Sequence, residues 1–215
     1  MKAELPGGKT VMAHVADPGR LEELLYTGNR VLIIHAPEGS ERKTKWSLVA
    51  AKDPTGWILV NTGYHRRIAA ALLSGPHSPV EHAKKLQAEV KAPSGSSRFD
   101  FLVNDNIWVE TKGCTLKSGK KALFPDAPTS RGVKHVKELT EMTLAGKNTA
   151  VVFLVFVRGV DCFAANRLTD PEFADALDTA ISAGVKIYAV QIDFDGRNLS
   201  YSGNLAITCK AVYSR

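Results

Sequence analysis

The first eighty residues alternate short apolar segments with turn-forming residues, and four of the segments have the length and composition of β-strands. The predicted strands are Thr10–Val15, Arg30–His35, Lys45–Ala51 and Trp57–Asn61. After the first strand, residues 17–20 predict the start of a helix, with Asp17 as its N-cap and Pro18 in its first position. Short strands at this spacing, together with one helical turn, are typical of a small barrel of the OB type.

A helix carrying Ile68, Ala71 and Leu72 follows these strands, and Gly and Pro residues then break the chain between Ser74 and Pro79. Because such breaks commonly separate domains, we predict a boundary here. The prediction assigns residues 1–78 to an OB-like N-terminal domain and residues 79–215 to a second domain.

The second part of the chain alternates strands with longer helices. One predicted helix covers Thr129–Ala145, and another begins at Asp170-Pro171 and ends at Gly184. The order of three strands, helix, strand, helix and strand predicts an α/β (α+β) domain around a central mixed sheet. Its predicted strands are Leu86–Lys91, Arg98–Asn104, Ile107–Lys112, Ala150–Val157 and Val185–Asp193.

The charge balance changes the functional picture. The chain has 28 Lys and Arg against 22 Asp and Glu, a formal net charge of +6. The segment 112–137 has seven basic residues and a single acid, Asp126, so it carries as much net charge as the whole chain. This distribution favours a polyanionic partner, whereas the net charge alone is equally consistent with a role in solubility.

Three observations bear on the compartment. The longest apolar run, Ala150–Val157, has eight residues, far short of the roughly 20 that a bilayer span requires. No apolar stretch follows Lys2, so a signal peptide is not expected. The three cysteines, Cys114, Cys162 and Cys209, form no CxxC pair, which argues against a disulfide framework and against structural zinc. We therefore predict a cytoplasmic protein.

The candidate chemistry lies in the strand pair joined by residues 104–106. If Asp105 is the apex of this hairpin, Asp100 lies opposite Glu110, and Lys112 shares their face. Like charges at directly opposed positions are destabilising. Either both carboxylates turn into water, on an ordinary solvated strand face, or a cation lies between them. Mg²⁺ suits two carboxylates, and Lys112 could orient a water or neutralise charge on a phosphate.

The chain resembles the sugar fermentation stimulation protein A (SfsA) family over nearly its whole length. The resemblance is carried by Ser97–Val103, Val109–Leu116, Phe124–Gly132 with Lys134-His135, His14–Arg20 and Asn61-Thr62. It implies an OB-like barrel joined to a nuclease-like domain of the PD-(D/E)xK type, and DNA binding without sequence specificity. Members usually have a further strand before the point where this chain starts, so we expect either an incomplete barrel or a start further upstream.

The resemblance also implies roles for individual residues. Asp100 matches the metal-binding Asp of the nuclease pattern, and Glu110 and Lys112 match its Glu-x-Lys, which makes these three the expected catalytic residues. Glu89 resembles the additional acid of such sites, so Asp100, Glu110 and Glu89 are the expected ligands of Mg²⁺ or Mn²⁺.

Basic residues around this pattern are the candidates for DNA binding. Arg131, Lys134 and His135 lie in the first turns of the predicted helix at 129–145, where a phosphate could bind. A solvated basic face and a surface or core-edge histidine are the alternatives for these positions. A mobile basic loop around Gly119 and the arginines of the barrel, with its tryptophans, add further candidates. The nucleic-acid-binding residues expected are Arg98, Lys117, Lys120, Lys121, Arg131, Lys134, His135, Arg20 and Arg66.

Two functional hypotheses remain at this point. The first is a Mg²⁺-dependent phosphodiesterase that acts on DNA, and the second is a non-catalytic DNA-binding regulator of sugar metabolism genes. A small-molecule enzyme has little support, because the sequence contains no Gly-rich phosphate loop and no GxGxxG motif.

Overall fold

The structure, a computed structural model, describes residues 1–36, 39, 42–93, 95 and 97–207. Within these residues the chain is α/β and mostly sheet. The helices are α1 (His65–Leu73), α2 (Ser130–Leu144) and α3 (Pro171–Ala183), and a short 3₁₀ turn spans Thr62–Tyr64. The strands are β1 (Lys2–Glu4), β2 (Thr10–His14), β3 (Val31–His35), β4 (Trp46–Asp53), β5 (Gly56–Leu59), β6 (Leu86–Lys91), β7 (Arg98–Val103), β8 (Ile107–Cys114), β9 (Leu116–Ser118), β10 (Lys121–Phe124), β11 (Asn148–Val155), β12 (Cys162–Ala165), β13 (Lys186–Phe194) and β14 (Leu199–Ile207).

The N-terminal strands are organised around β4. This strand pairs with β2 in parallel and with β3 and β5 in antiparallel orientation, and its central residues are buried. The four strands predicted in this region are confirmed, each with bounds shifted by no more than a few residues. The sequence analysis did not predict β1, which pairs with β2.

The helix predicted at residues 17–20 is wrong. Asp17 closes a turn instead, because its Oδ1 accepts a hydrogen bond from the Gly19 amide at 2.7 Å. Leu21 has a positive φ of 50°, which a helix does not tolerate, and the segment that follows forms turns only. Starting a helix is costly, and this short segment gains more by burying Leu21 and Leu24 in the core.

The C-terminal half is built on a mixed sheet, as predicted. Strand β11 lies between β8 and β13 and is parallel to both, whereas β7 and β14 run antiparallel to their neighbours β8 and β13. Almost every residue of β11 is buried, which explains its continuous apolar sequence. Trp57 of β5 pairs with Phe194 of β13, so the sheet continues into the N-terminal strands. The domain division at residue 78 stays a prediction.

Both long helices begin and end where the sequence predicts. The Thr129 side chain accepts from the Gly132 amide at the start of α2, and the Asp170 side chain accepts from the Phe173 amide at the start of α3. Gly184 ends α3 in the left-handed conformation, with φ of 100°. Helix α2 packs against α3 and against β11, which places its first turns above the sheet.

The remaining strands were not predicted. The expected loop around Gly119 is instead a hairpin formed by β9 and β10, and β12 pairs with β10 and β14. Cys114 is buried as a free thiol, and burial raises its pKa to about 12, in agreement with a packing role. Cys162 is disulfide-bonded, which the cysteine spacing did not predict, and Cys209 lies outside the described residues. None of the described helices has the length and apolar character that a bilayer crossing demands.

Candidate functional site

The hairpin of β7 and β8 has the register that the sequence predicts. Val103 pairs with Ile107 and Phe101 with Val109, so the strands turn about Asp105. Beyond the pair of Phe101 and Val109, the Asp100 side chain links β7 to β8. Its Oδ2 accepts hydrogen bonds from the amide and the hydroxyl of Thr111, at 2.8 and 2.5 Å. Phe101 and Val109 are buried on the opposite face, as expected.

Glu110 is one of the few charged side chains in the interior, with 3% of its surface exposed. Its Oε1 accepts from Nζ of Lys112 and from Nδ1 of His135, each at 2.5 Å. An ionised carboxylate only accepts hydrogen bonds, so Nδ1 of the imidazole carries the proton. Burial raises the pKa of Glu110, but the hydrogen bond from His135 and the charge of Lys112 outweigh burial, and the net pKa is lowered. The carboxylate is therefore ionised at neutral pH.

The pKa of Asp100 shifts in the opposite direction from that of Glu110. Burial raises its pKa, and the charge of Glu110 raises it further, against the hydrogen bonds from Thr111. The expectation that both carboxylates could turn into water is wrong, because Glu110 is buried against His135 of α2 and the Asp100 carboxylate is hydrogen-bonded to Thr111. The charge of Lys112 lowers the pKa of Asp100, but burial and the charge of Glu110 outweigh it.

One further observation indicates that Asp100 and Glu110 could hold a divalent cation. Oε2 of Glu110 is buried and has no hydrogen-bond partner within the described residues. An acceptor left without a donor in the interior is costly, and a cation bound between Asp100 and Glu110 would remove both that cost and the repulsion. Within the described ranges, no group of three or more His, Cys, Asp and Glu side chains is arranged to hold a metal.

The side chain of Glu89, the expected third metal ligand, is paired with an arginine. Its neighbours Ala88 and Val90 pair with Phe101 and Phe99, so Glu89 lies across from Asp100. Glu89 itself has a positive φ of 56° and forms an ion pair with Arg66 at the surface. Its role as a metal ligand stays a prediction.

For His135 the structure agrees with the alternative of a core-edge histidine. This residue was expected among the phosphate-binding side chains, but it is 4% exposed and its ring packs edge-on against Phe99, with centroids 5.7 Å apart. The spacing along α2 contained the signal, since His135 lies on the helical face of Gly132, Val136 and Leu139, all of which are buried.

Several of the predicted basic residues converge beside this site. Lys91, Arg98, Arg131 and Lys134 line a surface groove of about 350 Å³, with His135 also in its lining. We call this the basic groove. It contains no acidic lining residue among those the structure describes. A groove lined by one sign of charge concentrates counter-charged ligands.

Other predicted basic residues lie elsewhere. Lys117 donates to Asp53 at 2.8 Å, and Arg66 is paired with Glu89. Lys120 faces Asp161 at 3.9 Å, with both side chains largely exposed. Lys121 lies on β10, and Arg20 is exposed after the turn at Asp17. The Trp57 ring lies instead under the ammonium of Lys52, 5.1 Å from its centroid.

Comparisons with known proteins agree over most of the chain. The family model described as the SfsA N-terminal OB domain matches residues 1–60, and that described as the sugar fermentation stimulation protein RE domain matches residues 63–198. The chain is 42% identical over 205 residues to a sugar fermentation stimulation protein homolog of Methanococcoides burtonii, covering 94% of this chain and 81% of that protein. It is 37% identical over 207 residues to the homolog of Thermotoga maritima, covering 95% and 88%.

A solved structure is similar in three dimensions as well. The structure of Pyrococcus furiosus SfsA in complex with Ca²⁺ superimposes with a TM-score of 0.84 at 25% sequence identity. The superposition covers 97% of this chain and 94% of that one. The N-terminal strands therefore form an OB domain, as predicted, and the fold extends over both halves.

Proposed function

This chain belongs to the sugar fermentation stimulation protein (SfsA) family, and from that premise we propose that it binds DNA without strong sequence preference and hydrolyses phosphodiester bonds in a reaction that requires a divalent cation. The observation that carries the proposal is the contact of Glu110 with Lys112 and with His135, a residue that also lines the basic groove. We place this activity in the cytoplasm, where the chromosome lies.

The basic groove supplies the affinity for DNA. Arg98, Arg131 and Lys134 are exposed side chains from two elements that face one depression. Contacts of this type bind the phosphate backbone and carry no sequence information, so binding depends steeply on salt and weakly on sequence. Arg131 also lies in the first turn of α2, where the helix N-terminus favours an anion.

The buried acids supply the cation site. Asp100 and Glu110 would hold Mg²⁺ or Mn²⁺, hard cations that prefer carboxylate oxygens. A bound cation of this kind lowers the pKa of its water and neutralises phosphate charge. The similar Pyrococcus furiosus SfsA was solved in complex with Ca²⁺. This agrees with a proposed Mg²⁺ or Mn²⁺ site, since Ca²⁺ and Mg²⁺ both bind oxygen ligands.

The chain's own residues organise the reaction around that site. His135 holds Oε1 of Glu110, which leaves Oε2 available. Lys112 is 16% exposed at its side chain and can move its ammonium from Glu110 toward a phosphate oxygen. A positive charge at that point stabilises the charge that develops on phosphorus during attack by water.

The test is a combined binding and cleavage assay. Labelled single-stranded, duplex and branched DNA are incubated with wild type, Lys112→Ala and Asp100→Asn in Mg²⁺, Mn²⁺ or EDTA. We expect cleavage by wild type in Mg²⁺ or Mn²⁺, a loss of about 100-fold or more in both variants, and DNA affinity within a factor of about three of wild type. Lys147→Ala, at an exposed position outside the groove, is the control.

The alternative outcomes are distinct. Cleavage that persists in both variants would show that these residues are not catalytic. Salt-dependent binding with no product on any substrate would reject hydrolysis and leave a non-catalytic DNA-binding regulator.

A further inference from the structure

A second cavity shares Arg131 with the basic groove and also has Lys112 in its lining. It measures about 470 Å³, within the range of pockets that bind small ligands. Its walls come from the turn at residues 17–19, from β8 at 111–113, and from the segment 124–131 that leads into α2. Arg131 borders both the basic groove and this cavity, so a strand bound in the groove can reach the cavity.

The lining of this cavity carries charges of both signs. Lys112 and Arg131 supply positive charge, together with the N-terminal end of α2. Asp17 and Asp126 supply two carboxylates that interact with each other: burial raises the pKa of Asp17, and the charge of Asp126 raises it further. Lys112 and Arg131 thus attract a phosphate, whereas the carboxylates of Asp17 and Asp126 repel it.

One oxygen of this carboxylate pair accepts no hydrogen bond within the described residues. Oδ2 of Asp126 is buried and has no partner within the described residues, and it lies against Gly19 so closely that a Cβ there would be 2.1 Å away. An acceptor of this kind gains from a donor brought by a ligand. A hydroxyl group is such a donor, and it carries no charge to be repelled by the carboxylates.

Other residues of the lining are uncharged. Burial lowers the pKa of His65 to about 4, so its imidazole is uncharged at neutral pH, and its Nε2 has no partner within the described residues. Pro18, Phe124 and Pro125 add apolar surface to the lining. A lining that offers cations, apolar surface and a free hydrogen-bond acceptor is complementary to a nucleotide, which carries a phosphate, a base and a sugar hydroxyl.

We propose that this cavity binds the 3′-terminal nucleotide of a DNA strand, with its 5′-phosphate at Lys112 and Arg131 and its 3′-hydroxyl donating to Asp126 or Asp17. The inference rests on the proposed function and adds the substrate class to it. Water adds its oxygen to the phosphorus between the last two nucleotides. The bond from that phosphorus to the 3′-oxygen of the preceding nucleotide breaks, and this oxygen takes a proton. The products are a nucleoside 5′-monophosphate and a strand that is one nucleotide shorter.

Electrostatics explains why a strand end is selected. An internal nucleotide would carry a second phosphate on its 3′-oxygen, and that phosphate would lie against Asp17 and Asp126. Like charges in contact disfavour the wrong ligand strongly. A free 3′-hydroxyl avoids this repulsion and satisfies the acceptor.

The binding experiment uses deoxyadenosine 5′-monophosphate and two analogues, by titration calorimetry on the full chain. The analogues are the 2′,3′-dideoxy compound, which lacks the hydroxyl, and the 3′,5′-bisphosphate. We expect both analogues to bind at least about 10-fold more weakly than the parent nucleotide, because the first leaves the acceptor unpaired and the second is repelled. Gly19→Ala and Asp126→Ala are expected to remove this discrimination, whereas Asp178→Asn, on the far helix α3, keeps it. Because the comparison of ligands on wild type needs no substitution, a variant that fails to fold does not affect it.

The cleavage experiment compares linear and circular single-stranded DNA of the same sequence. We expect mononucleotides from the linear strand, little product from the circle, and protection of a linear strand that ends in a 3′-phosphate. Equal cutting of circle and linear strand would overturn the inference and keep the proposed phosphodiesterase. Selective nucleotide binding without cleavage of any DNA would overturn the phosphodiesterase and keep the cavity as a nucleotide site. Equal affinity for the three nucleotides, or no binding of any, would overturn the assignment of the cavity.

Discussion

Nδ1 of His135 lies 2.5 Å from Oε1 of Glu110, although the two residues are 25 positions apart in the chain. The imidazole comes from α2 and the carboxylate from β8. With Lys112 on the same oxygen, this contact sets the orientation of the carboxylate and leaves Oε2 without a partner in the described part of the chain. The helix thereby determines which oxygen of this buried acid is left for the cation that we propose.

Substitution of His135 tests this relationship. We expect His135→Ala to weaken Mn²⁺ binding by about 10- to 100-fold, as is typical when a group that orients a metal ligand is lost. The free energy of unfolding should fall by about 1–3 kcal/mol, because Glu110 loses a donor in the interior. Titration calorimetry and urea unfolding measure the two effects. His135→Asn, which can place an amide donor near the position of Nδ1, should recover part of the affinity. The exposed His82→Ala is the control, and unchanged Mn²⁺ affinity in His135→Ala would contradict the assignment.

Asp100 is expected to limit stability when no cation is bound. Since burial and the charge of Glu110 raise its pKa, the ionised form is disfavoured in the folded state at every pH above the ordinary value. Asp100→Asn should therefore be about 1 kcal/mol more stable than wild type in EDTA at pH 7. At a Mg²⁺ concentration about 100 times the dissociation constant, wild type should gain about 2.7 kcal/mol and the variant almost nothing. Thermal or urea unfolding with and without Mg²⁺ measures this reversal, and equal stabilisation of both proteins would place the cation elsewhere.

Because His65 is buried, we expect the free energy of unfolding to fall in mild acid. Burial lowers its pKa from 6.5 to about 4, so the unfolded chain binds a proton that the folded protein does not. This contribution to stability is present above pH 6.5 and is lost as the pH falls from 6.5 toward 4, amounting to about 2 kcal/mol between pH 7 and pH 5. His65→Phe, which preserves the stack on Phe156, should flatten this part of the curve. Urea unfolding at pH 7, 6 and 5 compares the two slopes, and parallel curves would show that another group is responsible.

Two lysines of the basic segment are expected to behave differently. Lys117 is mostly buried against Asp53 and bridges β9 to the turn after β4, so Lys117→Ala should lower the free energy of unfolding by about 1–3 kcal/mol. Lys134 lines the basic groove, and Lys134→Ala should instead reduce the salt dependence of DNA binding by about one unit of slope. Fluorescence anisotropy at several salt concentrations and urea unfolding separate the effects. If Lys117→Ala lowers the slope as well, β9 belongs to the DNA interface.

Local patterns account for the parts of the site that sequence analysis predicted. The register of the β7–β8 hairpin follows from its turn, where Asn104 and Asp105 both have positive φ, a conformation that these residue types tolerate. Once the register is set, the alternation of side chains predicts Asp100, Glu110 and Lys112 on one face, and the hydrogen bond from Lys112 to Glu110 agrees with this for those two residues. The helices were predictable for the same reason, because their caps and apolar periods lie within the segments themselves.

Tertiary structure decided the environment of those residues. Whether the face of Glu110 meets water or α2 depends on how distant elements pack, and no period along the strand contains that information. His135 became an interior partner of Glu110, and Asp17 came to lie near Asp126, through contacts between segments far apart in the chain. The sequence by itself determined which acids and bases share a strand face, since this depends only on the two-residue repeat of a strand. Only the packing of α2 and the barrel determined their burial, their pKa values and the cavity beside them, because desolvation and charge coupling arise between elements and not within them.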